Sequence, residues 1–161
     1  MVFKKRKYDN PLNFLGDLAQ VAGSPSSLAK LVTGSGELTP AFREKIMLAV
    51  TSVNQCRYCS FFHGLIALKE GASRGEVRKL LDGIIDDVEE HEREALLYGI
   101  HWADSRGNPS EEARQKMIES YGEKLTEEIE FAIRSIMLGN YTGNTVDFFL
   151  NKASFGWLAR G

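Results

Sequence analysis

From Thr39 to Gly71 the chain reads as two helices in series with a break between them, and both of its cysteines lie at that break. Thr39-Pro40 marks the first start, a capping hydroxyl followed by proline at the first helical position. Phe42, Ile46, Ala49, Val50 and Val53 then recur at the spacing of one helix face, which makes them a core stripe. Glu44, Met47, Leu48, Thr51 and Gln55 run down a neighbouring face, so Glu44 is an acid on a mostly buried helix. Asn54-Gln55 interrupts this helix. The second is expected from about Cys56 to Lys69 or Glu70, with Gly71 ending it. Elsewhere few segments show sustained two-residue alternation, and nothing resembles a βαβ repeat. The expected fold is all-α, a bundle of about seven or eight helices.

The other helices are punctuated in the same way. Pro11 to Val21 has rough helical spacing in its apolar residues, and Gly23-Ser24-Pro25 breaks it. A short helix is expected over 26–32, ended by Thr33-Gly34-Ser35-Gly36. Ser73 caps another from Arg74 to Leu81. Asp86-Asp87 introduces a longer one from about Val88 to Ser105, with Ala95, Leu96, Gly99, Trp102 and Ala103 facing inward. After the turn Arg106-Gly107-Asn108-Pro109, Ser110-Glu111-Glu112 opens a helix to Tyr121 with acids in its first turn, where the macrodipole favours them. Gly122 ends it, and one or two further helices follow from Thr126. A kink is expected across Gly139–Asn144, before Val146 to Leu150. The apolar runs Phe148-Phe149-Leu150 and Phe155-Gly156-Trp157-Leu158 are expected to pack in part on a neighbouring subunit.

At 161 residues the chain suits one domain, taken as 1–161 with its motif core at about 38–85. A formal net charge of −2 gives no field to hold nucleic acid or an anionic membrane. The basic opening Lys4-Lys5-Arg6-Lys7 reads as a solvated arm. Asp9, Asn10, Asn13 and Asp17 interrupt any signal-peptide core, and no stretch approaches the ~20 apolar residues of a membrane helix. A cytoplasmic location is therefore expected. In a reducing compartment two close cysteines are catalytic or metal-binding more often than structural.

Cys56, Cys59 and His63 stand at i, i+3 and i+7, on one face of the second helix. Free amides of its first turn and the helix dipole favour a thiolate at Cys56, and a nearby imidazole lowers a thiol pKa further. Such a pair suits redox chemistry, in which one thiolate attacks and the other resolves the product. His63 follows Cys59 by one turn, so it can activate Cys59 as a base more readily than Cys56. Glu44, on the preceding helix, can orient that imidazole if the two helices fold back on each other. A thioredoxin fold would place such a motif beside a central sheet, which this sequence lacks. Two other uses remain open: inert core cysteines, or a zinc site from Cys56, Cys59 and His63 with His91 or His101 as fourth ligand.

Glu44, then Cys56 after eleven intervening residues, then Cys59 and His63, resembles the signature of the alkylhydroperoxidase D-like (AhpD-like) proteins of the carboxymuconolactone decarboxylase superfamily. Arg43-Glu44-Lys45, Leu48-Ala49-Val50, Asn54-Gln55-Cys56-Arg57-Tyr58-Cys59 and His63-Gly64 carry the same resemblance. It implies an all-helical fold, a homo-oligomer (trimer or hexamer), and peroxidase or disulfide-reductase chemistry without a cofactor or metal. It further implies that Cys59 attacks a hydroperoxide, that Cys56 resolves, and that Glu44 and His63 relay a proton. The implied partners are the hydroperoxide and a dithiol reductant, protein or small thiol, with no nucleic acid and no membrane. The sequence departs from the best-known hydroperoxidases of this group at Tyr58, where they carry a second histidine. A phenol is a poor base at neutral pH but can donate a hydrogen bond. Tyr58 and Phe62 are candidate substrate-pocket residues. Two competing readings are a lyase like the decarboxylase branch, with His63 and Glu44 as acid and base, and a non-enzymatic redox-sensing or metal-binding oligomer.

Overall fold

Capping oxygens, first-turn prolines and left-handed end residues set most helix limits in the computed structural model, which describes residues 5–86 and 88–154. Asn10 accepts from the Leu12 amide and Pro11 opens α1 (Pro11–Ala22). Pro25 likewise opens α2 (Pro25–Thr33), which Gly34 ends in the left-handed region. Thr39 accepts from Phe42 to start α3 (Pro40–Asn54), and α4 (Arg57–Lys69) follows after Gln55 and Cys56. Ser73 accepts from Glu76 to cap α5 (Arg74–Leu81). α6 covers Glu90–Asp104, and α7 covers Glu111–Ala153, capped by Ser110. Among the described residues there are seven helices and no strand, so the expected all-α fold holds.

α3 lies at the centre. Ile46, Leu48, Ala49 and Val50 have no solvent exposure, and α4, α5, α6 and α7 all pack on this helix. α6 contributes Ala95, Leu96, Trp102 and Ala103, and α7 contributes Ile129, Ile133 and Ile136. Gly99 permits the close approach of α6 to α3, since a Cβ there would meet Val50 Cγ2 at 3.1 Å. Lys45 Nζ ties α3 to both α5 and α6, at 2.9 Å from Glu76 and 2.8 Å from Glu92. Burial works against the Lys45 charge, but those two carboxylates outweigh it and raise its pKa.

Three departures from the sequence reading have physical causes. α6 begins at Glu90 rather than Val88, after Glu89 in an extended conformation. Gly139–Asn144 does not break α7; its backbone stays helical there, and the break falls at Gly122 with φ 75° and ψ 163°. Asn140 and Asn144 direct their side-chain amides to α3 and not to the backbone of their own helix, so they leave it intact. Third, the basic arm, described from Lys5 onward, is docked and not solvated. Lys5 pairs with Asp147 at 2.9 Å, Arg6 donates to the Ala103 carbonyl, and the Tyr8 amide donates to Thr145 Oγ1 at 3.0 Å. The nearly buried Asp147 carboxylate draws the arm in, because a buried charge requires a partner. α1 and α2 bury no residue of their own, and Leu12, Leu15, Leu18 and Val32 are exposed. Trp102 is core, as the inward face of α6 predicts, whereas Phe155, Trp157 and Leu158 lie outside the described residues.

Candidate active site

The break between α3 and α4 is held from behind. Gln55 takes the left-handed region at φ 56°, and its amide closes on the Thr51 carbonyl at 2.7 Å. A buried polar seam then fixes the end of α3 to α7. Asn54 Nδ2 donates to Asn140 Oδ1 at 3.2 Å, Asn140 Nδ2 to Thr51 Oγ1 at 3.1 Å, and Asn144 Nδ2 to the Asn54 carbonyl at 2.7 Å. Cys56, the next residue but one after Asn54, is thereby placed as the N-cap of α4 in an extended conformation. Its sulfur accepts from the Cys59 amide at 3.3 Å, in the role a serine or aspartate oxygen more often plays.

Cys56 and Cys59 have Cα atoms 5.3 Å apart and their sulfurs lie at disulfide distance. The two are not equally accessible. Cys56 is fully buried, whereas Cys59 is partly exposed. The lid over Cys56 is the backbone of α7 at Gly143, where a Cβ would sit 2.7 Å from Cys56 Sγ.

One turn after Cys59, His63 Nδ1 lies 2.7 Å from Glu44 Oε2. Glu44, at 1% exposure, has its other oxygen occupied by Arg43 Nε at 2.9 Å. Arg43 in turn donates to the Leu31 carbonyl, which anchors it to the end of α2. Against an ionised carboxylate, which only accepts, Nδ1 is the donor, and a neutral ring then presents the Nε2 lone pair. α3 and α4 thus bring together the acid and imidazole that the sequence placed on separate helices.

Cys59 and His63 open into a groove of about 500 Å³ between α4 and α7. Tyr58 and Phe62 of α4 line one side, and Gly139, Gly143, Val146 and Leu150 of α7 line the other. The Phe62 ring meets the His63 ring edge-on at 5.3 Å. Tyr58 is turned toward Arg57, whose guanidinium donates to its hydroxyl at 2.9 Å and also pairs with Asp147 at 2.8 Å. His91 and His101 do not join the site. His91 is exposed, and His101 Nε2 accepts from the Ser110 amide at 3.2 Å. Among the described residues no three His, Cys, Asp or Glu side chains gather as a metal-ligand cluster.

Residues 21–98 match the model of the carboxymuconolactone decarboxylase family. The match spans just under half of the chain. It agrees with the resemblance carried by Glu44, Cys56, Cys59 and His63, all of which fall inside it. No curated protein matches the chain. The matched segment runs from the end of α1 to the middle of α6, so it includes the acid, the thiols and the imidazole but not the far side of the groove. Gly139, Gly143, Val146 and Leu150 belong to α7, beyond the match. The sequence reading missed these four and the bond from Arg43 to Glu44. The signal for the glycines was their spacing of one helical turn, which puts two side-chain-free positions on a single face.

Proposed function

We propose that this chain is a thiol-dependent peroxidase of the AhpD-like kind, reducing hydroperoxides through Cys56 and Cys59 with Glu44 and His63 as proton relay. One observation carries the reading: the accessible thiol and the carboxylate-held imidazole line a single groove. His63 Nε2 takes the Cys59 thiol proton, and the thiolate attacks the distal oxygen of the hydroperoxide. The O–O bond breaks, Cys59 becomes a sulfenic acid, and the alkoxide leaves as an alcohol with the proton from His63. The Cys56 thiol then attacks the sulfenic sulfur, forming the disulfide and releasing water. A dithiol donor, protein or small thiol, returns the pair to two thiols and is itself oxidised to a disulfide. The donor thiolate attacks at Cys59, the accessible sulfur, and Cys56 leaves as a thiolate at the N-terminus of α4, where the dipole stabilises it. Tyr58 serves as a wall of the groove and not as a base. Regeneration by thiols suits the cytoplasm. The working form is a homo-oligomer, a trimer or hexamer.

The test is thiol titration of the reduced protein with and without a hydroperoxide. Wild type is expected to lose both thiols, Cys56→Ser to stop at a sulfenic acid that a dimedone probe traps, and Cys59→Ser to keep its remaining thiol. Wild-type thiols that survive excess peroxide would end the proposal.

A further inference from the structure

We infer that Gly139 sets the size of the group that can reach Cys59, making it a specificity-determining position. The inference rests on the thiol-peroxidase reading of the same groove and adds to it which substituents on the reacting oxygen or carbon are admitted. The two glycines of α7 that lie in the groove have different reasons to be glycine. Gly143 is demanded by packing, since a Cβ there would press on Cys56 Sγ at 2.7 Å and meet Tyr58 Cδ2 at 3.5 Å. At Gly139 a Cβ would meet no atom within 4 Å. Nor does backbone conformation demand glycine there, because its φ is not positive. In a helix interior glycine is less favourable than alanine, so this residue weakens α7 without a packing or conformational reason.

What Gly139 does provide is room. It lies across the groove from the α4 wall that carries Tyr58, Phe62, Cys59 and His63. A branched side chain there would grow into the groove space against the aromatic wall. With glycine, the groove accepts a bulky apolar substituent alongside Cys59; with leucine it admits only small reactants.

The experiment uses full-length protein carrying Cys56→Ser, which leaves Cys59 as the sole thiol. Rates are measured with a small electrophile, iodoacetamide, and with a bulky apolar one, N-benzylmaleimide. In both reactions the Cys59 thiolate forms a carbon–sulfur bond; iodide leaves in the first, and the maleimide carbon takes up a proton in the second. Hydrogen peroxide and cumene hydroperoxide form a parallel pair. Adding Gly139→Leu is expected to slow the bulky member of each pair by about tenfold or more relative to the small one, as steric exclusion from an apolar pocket does. Gly139→Ala is expected to fall between. Equal slowing of both members, or of neither, would overturn the inference, as would a changed oligomeric mass in Gly139→Leu, which would make the space a subunit contact. If no peroxide reacts at all but maleimide selectivity still follows residue 139, the size filter stands and the peroxidase reading falls.

Discussion

Glu44 has no solvent to moderate its charge, and two neighbours share that task. Arg43 Nε holds one oxygen at 2.9 Å and His63 Nδ1 the other at 2.7 Å. Arg43 is adjacent in sequence and anchored on α2, so it fixes the carboxylate, while His63 crosses from α4 to receive it. In the proposed relay this division has Glu44 act on the reaction through the imidazole. Loss of a proton-transfer partner lowers rates by about 100-fold or more. Glu44→Gln and His63→Asn are each expected to slow peroxide-driven thiol loss to that extent, read by stopped-flow thiol quantitation. Because one residue works through the other, the double variant should be no slower than the worse single variant. Additive losses would separate the two roles and remove the relay.

At the scale of helices, the site depends on how α3 and α7 are joined behind the dithiol. Thr51, Asn54, Asn140 and Asn144 form a buried seam in which each side-chain amide donates across the interface. Asn140 is the link, donating to Thr51 and accepting from Asn54. Asn140→Ala leaves buried polar groups without partners and is expected to cost about 1–3 kcal/mol of stability, measured by urea unfolding. A cost within experimental error would mean the neighbours repack without it. The seam also shows what was legible in the sequence. α3 and α4 could be read because their signals are local: Thr39-Pro40, the apolar stripe, the break at Asn54-Gln55 and the cysteines after it. Glu44 and His63 were identified by residue type and spacing, although their contact needed the fold. Gly139 to Asn144 was misread as a kink, because glycine and asparagine weaken an isolated helix and the sequence does not reveal that a neighbouring helix satisfies them. The arm at Lys5 and Arg6 was misread for a related reason. Its basic run has the composition of a solvated tail, and the groups that dock it, the nearly buried Asp147, the Ala103 carbonyl and Thr145, all lie far along the chain.

For the whole molecule, the unanswered physical question is what covers the apolar residues that one chain leaves outside. Two groups of them stand out. α1 carries Leu12, Leu15 and Leu18 outward and buries nothing, although Val32 of α2 is exposed as well. On α4 and the end of α7, Phe61, Phe62, Leu65, Phe149 and Leu150 are exposed too, Phe62 and Leu150 lining the groove. The proposed function requires the groove to stay open to reactants, so its rim can be covered only in part. No such demand falls on α1, and a contiguous apolar helix face is a feature of subunit contacts. We therefore expect α1 to take part in the proposed homo-oligomer. Leu12→Glu with Leu15→Glu should lower the mass found by light scattering toward that of one chain. Helical content by circular dichroism should be unchanged, because α1 buries no residue within its own subunit. Phe149→Glu, on the opposite side of the same question, tests whether the run from Phe148 to Leu150 shares in that contact. A wild-type chain that remains monomeric at micromolar concentration would show that α1 serves some other purpose. A double variant that keeps the full mass would move the contact to the groove rim, and substrate entry would then depend on how the subunits meet.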